Sequence, residues 1–136
     1  MYILDTNVVS ELRKGGKAER NVRIWAQKQP VTDLYLSVVS VLELEIGTLL
    51  LLRRDPKQGA ILRTWIDDHV LPSFSGRILP IDTAVVQRCA SLRVPNPRSD
   101  RDALIAATAL VHGMTVVTRN VSHFHSTGVP IANPWQ

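Results

Sequence analysis

The sequence has little cysteine and no long apolar run. Its one cysteine among 136 residues, Cys89, excludes an internal disulfide and any zinc site built from several cysteines. The longest apolar stretches fall short of the about 20 residues that a membrane-spanning helix needs, and no signal-peptide pattern opens the chain. These absences predict a soluble, cytoplasmic protein without a membrane partner, in which Cys89 belongs to the core.

The composition is ordinary and mildly basic. Hydrophobic residues make up 45% of the chain and charged residues 21%, which is typical of a soluble globular protein. The length predicts one domain over residues 1–136. Sixteen Lys and Arg against twelve Asp and Glu give a net charge of +4. If several of the acids gather in one site, the remaining surface is more basic than this total and suits a polyanion such as nucleic acid.

Apolar runs of strand length alternate with segments of helical periodicity. The runs predict strands at 2–4, 34–38, 77–81 and 114–118, with 131–132 as a possible last edge strand. Spacing and capping residues predict helices at 8–12, 21–28, 40–54, 56–70, 82–92 and 101–112. The alternation indicates an α/β fold with a central parallel sheet of four or five strands and helices on both faces.

Three carboxylates occupy ends of strands or starts of helices: Asp5, Glu43 and Asp102. Each has a capping alternative, because Asp5 precedes a helix while Glu43 and Asp102 each stand three residues after a serine, as in a capping box. Their common placement favours one shared site over three separate helix caps. If the first, second and fourth strands are neighbours, all three reach the crevice at the carboxyl edge of the sheet, where α/β proteins bind ligands.

Carboxylates that face one another repel unless a cation lies between them. Oxygen ligands favour Mg²⁺ or Mn²⁺ over zinc. Asn120 follows the fourth strand as Asp5 follows the first, so it is a further candidate ligand. Magnesium held by few carboxylates keeps water molecules, and one of these can attack a phosphodiester.

At these positions the sequence resembles the PIN-domain ribonucleases, and within them the VapC/FitB-like toxins of bacterial toxin–antitoxin pairs. The resemblance covers essentially the whole chain. It is carried by four motifs in order: Leu4-Asp5-Thr6-Asn7, Ser40-Val41-Leu42-Glu43-Leu44, Asp102-Ala103-Leu104-Ile105-Ala106-Ala107-Thr108-Ala109 and Val117-Thr118-Arg119-Asn120. It implies a PIN-like fold and a Mg²⁺-dependent endoribonuclease acting on single-stranded or structured RNA, with a cognate antitoxin as partner.

The resemblance also implies roles for individual residues. The acidic metal ligands would be Asp5, Glu43 and Asp102, with supporting hydrogen bonds from Asn7, Ser40 and Thr118. The family often carries a fourth acid shortly after the last strand of this set. Here Asn120 and His123 occupy the nearby positions, which leaves open whether one metal ion binds or two.

Several basic residues lie near the expected crevice. His123 has two interpretations, a ligand of metal or phosphate and a packing residue of the loop around Phe124. Arg98, Arg101 and Arg119 either contact RNA phosphates or are simply solvated.

The predicted helix 40–54 is apolar on most of its circumference around Leu49 to Leu52. Such a helix is buried on several sides or forms a subunit interface, and we expect a homodimer. The helices of residues 40–70 would also offer a groove to an amphipathic antitoxin segment, which would place Arg or Lys near the acids.

Two other functions compete with the nuclease. A catalytically inactive PIN-like binding module is consistent with the missing fourth acid. An aspartyl-phosphate phosphotransferase with Asp5 as nucleophile is weaker, because the phosphatases of that kind carry a second Asp two residues on, where this chain has Asn7.

Overall fold

The computed structural model describes residues 1–136, which form one five-stranded sheet in the order β3-β2-β1-β4-β5. Every neighbouring pair is parallel. The strands are β1 Tyr2–Leu4, β2 Leu34–Ser37, β3 Ile78–Leu79, β4 Thr115–Val117 and β5 Ile131–Ala132. The predicted parallel α/β sheet is therefore confirmed, with five strands, and β1 lies at its centre between β2 and β4.

Eight α-helices connect and flank the strands. They are α1 Thr6–Leu12, α2 Arg20–Lys28, α3 Val38–Arg54, α4 Pro56–Trp65, α5 Leu71–Ser73, α6 Thr83–Arg93, α7 Asp100–His112 and α8 Val121–Phe124. A π-helical turn, Ile66–Val70, joins α4 to α5, so the helix predicted to end at residue 70 continues to Ser73. The sequence interpretation missed α8, which is only one turn long and begins four residues after the end of β4.

Helix α3 begins at Val38, two residues earlier than predicted. The reason is local: the Ser37 hydroxyl accepts a hydrogen bond from the backbone N–H of Val39 at 3.0 Å and caps the helix. The assignment of Ser40 as the helix start was therefore wrong. Glu43 lies in the second turn and has no part in a capping box with Ser40, which leaves its carboxylate available to the protein surface.

The core lies on both faces of the sheet. Along β1, Ile3 points into a cluster that includes Ile105 and Phe124, and Leu4 points into a second cluster on the opposite face with Val8 and Ile66. Alternation of side chains along a strand produces this division. The helices therefore cover both faces, as the sequence predicts.

The single cysteine is a core residue, as expected. Cys89 is 8% exposed and packs with Val85 of α6 and two alanines of α7, Ala103 and Ala107. The small side chains of α7 allow α6 to approach closely. No helix combines the length and apolar character needed to cross a membrane.

Helix α3 packs against α4 but keeps part of its apolar surface in solvent. Gly59 of α4 is buried against Leu52, and a β-carbon there would lie 2.6 Å from the Leu52 Cα. In contrast, Leu49 and Leu50 are 58% and 62% exposed. The apolar character of this helix therefore exceeds what one copy of the chain buries.

Candidate active site

The carboxyl ends of β2, β1 and β4 meet at one edge of the sheet. The Asp5 N–H bonds to the Val117 carbonyl at 2.9 Å, so the ladder between β1 and β4 extends to the residue that follows β1. Thr118 follows β4 beside it. Helix α3 leaves the end of β2 next to Asp5 and carries Glu43. The adjacency of these strands, on which the sequence argument depended, is thus present.

The three predicted carboxylates line one polar cleft at this edge, which we call the acidic cleft. Its volume is about 670 Å³, and no apolar side chain contributes to its wall. Its walls are formed by Asp5, Thr6, Asn7, Ser10, Glu43, Ser99, Arg101, Asp102, Asn120 and His123. Residues far apart in the chain therefore converge in one cleft.

Asp5 is the most buried of the three acids, with 6% of its surface exposed. Its Oδ1 accepts a hydrogen bond from the Thr6 N–H at 2.8 Å, and its Oδ2 accepts one from Thr118 Oγ1 at 2.8 Å and one from Asn7 Nδ2 at 3.3 Å. Burial raises the pKa of Asp5, the hydrogen bonds from Thr118 and Thr6 oppose this, and the charge of Asp102 adds to the rise. Asp5 is both the cap of α1 and a wall of the cleft.

Glu43 reaches the cleft from the second turn of α3. Its Oε1 accepts a hydrogen bond from Thr6 Oγ1 at 3.0 Å, and its Oε2 lies 3.8 Å from Arg101 Nη1. Burial is the main cause of its raised pKa, and the charges of Asp5 and Asp102 also raise it. The sequence reasoning treated Thr6 only as a possible helix cap and missed this contact with a carboxylate 37 residues away.

Asp102 lies in the first turn of α7, and the capping alternative fails here too. Ser99 makes no side-chain hydrogen bond to the helix. The Asp102 Oδ2 instead lies 3.2 Å from His123 Nδ1, and the His123 side chain is 51% exposed. His123 therefore faces the cleft and does not pack into the loop, whereas its neighbour Phe124 is fully buried.

The residues predicted to support the acids fall into two groups. Thr118 Oγ1 donates to Asp5 while accepting hydrogen bonds from the Asn120 N–H at 2.9 Å and Asn7 Nδ2 at 3.4 Å. Asn7 and Thr118 thus fix the position of the Asp5 carboxylate. Ser40 does not: its hydroxyl is completely buried and has no hydrogen-bond partner. Ser40 lies in the first turn of α3 and is not among the residues that line the acidic cleft.

The donors of the acidic cleft fit a hard cation that keeps part of its water. No group of three or more histidine, cysteine, aspartate or glutamate side chains is arranged so as to enclose a metal ion. Three carboxylates nevertheless line the cleft, and burial, with a smaller contribution from the neighbouring carboxylate charges, raises the pKa of Asp5 and of Glu43. Magnesium binds through one or two carboxylates and several waters, so this donor set suits it better than a closed site would.

The three candidate arginines differ in their surroundings. Arg101 lies in the wall of the acidic cleft and approaches Glu43. Arg119 lies over the ring of Trp135, with 5.4 Å between its Cζ and the ring centroid. Arg98 lies outside the acidic cleft and lines an adjoining polar pocket.

Fold and site together define a class: an α/β domain whose parallel sheet gathers several carboxylates at the carboxyl ends of its central strands. The sequence profile of the PIN domain matches residues 2–128. The chain belongs to the PIN-domain family, which confirms the resemblance noted in the sequence.

Individual relatives agree over the full length. The chain is 38% identical to VapC ribonuclease Y4jK of Sinorhizobium fredii, covering 100% of this chain and 99% of that protein. It is also 38% identical to Toxin FitB of Neisseria gonorrhoeae, covering 99% of each. In the crystal structure of FitAcB from N. gonorrhoeae, one chain superposes with a TM-score of 0.90 at 36% identity, covering 100% of this chain and 99% of that one.

Proposed function

We propose that the protein is a Mg²⁺-dependent endoribonuclease of single-stranded or structured RNA and the toxin of a toxin–antitoxin pair. The observation that carries this proposal is the convergence of Asp5, Glu43 and Asp102 in one cleft without apolar walls. Full-length similarity to proteins named as a VapC ribonuclease and as Toxin FitB supports the choice of RNA as substrate and of a toxin's role.

In this proposal Asp5, Glu43 and Asp102 hold the cation, with Asn120 as a weaker fourth oxygen ligand, and Mn²⁺ can substitute for Mg²⁺. When bound, the metal supplies Lewis acidity toward the phosphate and makes water a stronger nucleophile. The protein's own groups set the ligand positions. Thr118 and Asn7 fix the Asp5 carboxylate, and Thr6 fixes Oε1 of Glu43 so that Oε2 faces the cleft.

The substrate side of the cleft is basic. Arg101 and His123 line the cleft itself, and Arg119 is adjacent to Asn120 in the chain. We assign phosphate contacts to Arg98, Arg101 and Arg119, because a guanidinium group matches the geometry of phosphate oxygens.

Two observations favour an alternative, a catalytically inactive PIN-like binding module. The position after β4 holds the neutral amide of Asn120, and Asp102 is contacted by His123. An aspartyl-phosphate phosphotransferase is less consistent with the site, because Asn7 is a neutral residue that donates its amide to Asp5 and cannot serve as the second acid.

Two partners belong to the proposal. A second copy of the chain would cover the exposed leucines of α3, Leu42, Leu49 and Leu50. An antitoxin would place Arg or Lys in the acidic cleft and lay an apolar segment against the α3–α4 region. The solved structures of FitAcB from N. gonorrhoeae and of FitAB bound to a DNA fragment, each at 36% identity, support a pairing with an antitoxin, because the relative FitB is named a toxin.

Cleavage of single-stranded RNA in Mg²⁺, in Mn²⁺ and in EDTA tests the enzymatic assignment. Cleavage that depends on the metal supports it, and binding of RNA without cleavage under all three conditions would favour the binding module.

Co-expression with the neighbouring open reading frame tests the partner. Suppressed toxicity and a co-purifying complex support a toxin–antitoxin pair. Harmless overexpression of a protein that cuts RNA in vitro would remove the toxin's role and leave the nuclease. Light scattering at micromolar concentration tests the homodimer, which a monomeric mass would exclude.

A further inference from the structure

A second polar pocket adjoins the acidic cleft. It has a volume of about 650 Å³, and Ser99, Asp102 and His123 belong to both cavities. Its remaining wall comes from the loop between α6 and α7 and from the segment after β4, and it contains Arg98 and Ser126. We call it the Arg98 pocket. A chain molecule bound at the acidic cleft can therefore continue across Asp102 and His123 into it.

Arg98 is held in place by neutral groups. Its Nε donates to the Leu92 carbonyl at 2.9 Å and its Nη2 donates to Ser126 Oγ at 3.0 Å. It forms no ion pair, whereas the nearby Arg93 pairs with Asp100 at 2.5 Å. Arg98 is thus half-buried, its guanidinium is fixed in direction, and no carboxylate is paired with it, although Asp102 lines the same pocket. Because the Arg98 side chain is already ordered, little conformational entropy is lost when an anion binds to it.

We propose that the Arg98 pocket receives a nucleotide of the RNA strand next to the phosphate held in the acidic cleft, with Arg98 bound to the backbone phosphate. This inference rests on the proposed nuclease function. The pocket volume falls in the range of about 300–1,000 Å³ that small-ligand sites occupy. The His123 imidazole is the only aromatic ring in its wall, so we assign the main contact to the sugar–phosphate backbone, which tolerates different sequences.

The test measures binding of a fluorescein-labelled single-stranded hexauridylate in EDTA, where cleavage does not interfere. Ser126→Asp leaves Arg98 unchanged but places a carboxylate beside it, and Ser126→Asn is the matched neutral control. Arg98→Gln removes the charge itself. Arg54→Gln removes a charge from an exposed arginine that forms no ion pair, eleven residues beyond Glu43 on α3.

We expect Ser126→Asp and Arg98→Gln to raise the Kd about tenfold, as the loss of one hydrogen bond to a charged group does. The slope of log K against log salt should fall by about 0.7, the value of one phosphate contact on a single strand. Arg54→Gln should stay within about twofold of the wild type and Ser126→Asn within about threefold, because neither alters the charge in the pocket. The ratio of variant to wild-type Kd should also be larger with the hexanucleotide than with a dinucleotide.

Any one of three results would overturn the inference. The Kd values of Ser126→Asp and Arg98→Gln could match those of their controls, or the ratio of variant to wild-type Kd could be the same for the dinucleotide and the hexanucleotide. The third is that the wild type does not bind the hexanucleotide in EDTA. Circular dichroism of each variant verifies its fold, and Ser126→Asp keeps the test valid if Arg98→Gln disturbs the loop that Arg98 anchors. Failure of the nuclease proposal would look different, because the wild type would then cut no RNA in Mg²⁺ while the binding differences persist.

Discussion

Two glutamates on α3, Glu43 and Glu45, are two residues apart and have opposite surroundings. Glu43 faces the acidic cleft, where burial and the charges of Asp5 and Asp102 raise its pKa. Glu45 faces α4, where Arg63 donates to both of its carboxylate oxygens at 2.6 and 2.8 Å and lowers its pKa. Each residue of a helix is rotated by about 100° from the one before it, so side chains two positions apart point to nearly opposite sides and can serve unrelated purposes.

The charge of Glu45 is neutralised within the fold, whereas the charge of Glu43 is left for a ligand in the acidic cleft. Arg63 also binds Asp67 at 2.8 Å, and this network ties α3 to the helical segment that follows it. The acidic cleft has no equivalent cation, since Arg101 lies 3.8 Å from Glu43 and is half-exposed. Carboxylates kept together without compensation lower the stability of the folded state at neutral pH, and a cation restores it.

The largest effect is expected for Asp5→Asn. We expect it to reduce RNA cleavage at least about 100-fold, more than the loss of an outer-shell partner of a metal ligand, because it removes a charged oxygen from the cation site. The fold should survive, since Asn also caps helices and the pKa of Asp5 is raised by burial. Cleavage assays and thermal unfolding in EDTA measure both effects.

Asp82→Asn is the matched control for Asp5→Asn. Asp82 also caps a helix, accepting a hydrogen bond from the Val85 N–H at 3.0 Å, but it lies outside the acidic cleft. The Asp82→Asn variant should cleave RNA within about twofold of the wild type, because asparagine still caps the helix. Full activity of Asp5→Asn would exclude a metal site at that position.

The next test separates the two glutamates directly. Glu43→Gln should lower cleavage about 10- to 100-fold, and Glu45→Gln should leave it within about twofold, because only Glu43 belongs to the acidic cleft. Single-turnover cleavage of one labelled RNA by both variants provides the measurement. Equal losses would mean that Glu43 acts through the stability of α3 and not through the cleft.

Much of this arrangement is predictable from the sequence. Apolar runs followed by polar residues predict the strands and the places of Asp5, Glu43 and Asp102 at their ends, and the resemblance to the PIN family adds Asn7 and Thr118. The order of the strands is not contained in these runs: the sequence reasoning assumed that the first, second and fourth strands are neighbours, and the sheet has them so. The start of α3 is harder to predict, because Val38 and Val39 favour strands, and the helix begins at Val38 through a local cap in which the Ser37 hydroxyl accepts a hydrogen bond from the Val39 N–H.

Contacts between partly exposed polar side chains are also not predictable from the sequence. The approach of His123 to Asp102 depends on α8, a single turn whose one buried residue is Phe124. The same holds for the Arg63 network, because the pairing of residues 45 and 63 depends on how α4 packs on α3. Such pairs need the relative placement of two helices, which the spacing of residues within one helix does not contain.

A smaller effect is expected at Asn120. If the cleft is one carboxylate short, Asn120→Asp should tighten Mn²⁺ binding several-fold and keep or raise cleavage, because an amide oxygen is a weaker ligand than a carboxylate for a hard cation. Isothermal titration with Mn²⁺ measures the affinity, and Asn133→Asp, in a residue that does not line the cleft, controls for added charge. Unchanged affinity would place Asn120 outside the coordination shell.

The smallest effect concerns stability and pH, and here the two glutamates should differ in sign. The pKa of Glu45 is lowered in the fold, so its carboxylate stabilises the protein above its unfolded pKa, and this contribution disappears as the pH falls through the folded value. Glu45→Gln should therefore cost about 1 kcal/mol or less at pH 7, the range of partly exposed ion pairs, and nothing at low pH.

Glu43→Gln should show the reverse in EDTA. A raised pKa means that the charged form opposes folding at neutral pH, so the variant should be at least as stable as the wild type at pH 7. That advantage should vanish as the pH falls below the unfolded pKa of about 4.3, where the carboxyl is protonated in both states. Urea unfolding between pH 4 and pH 7 measures both variants. Adding Mn²⁺ should then stabilise the wild type and Glu45→Gln more than Glu43→Gln. If both variants are instead less stable than the wild type at pH 7 in EDTA, the two carboxylates do not differ in the way their surroundings indicate.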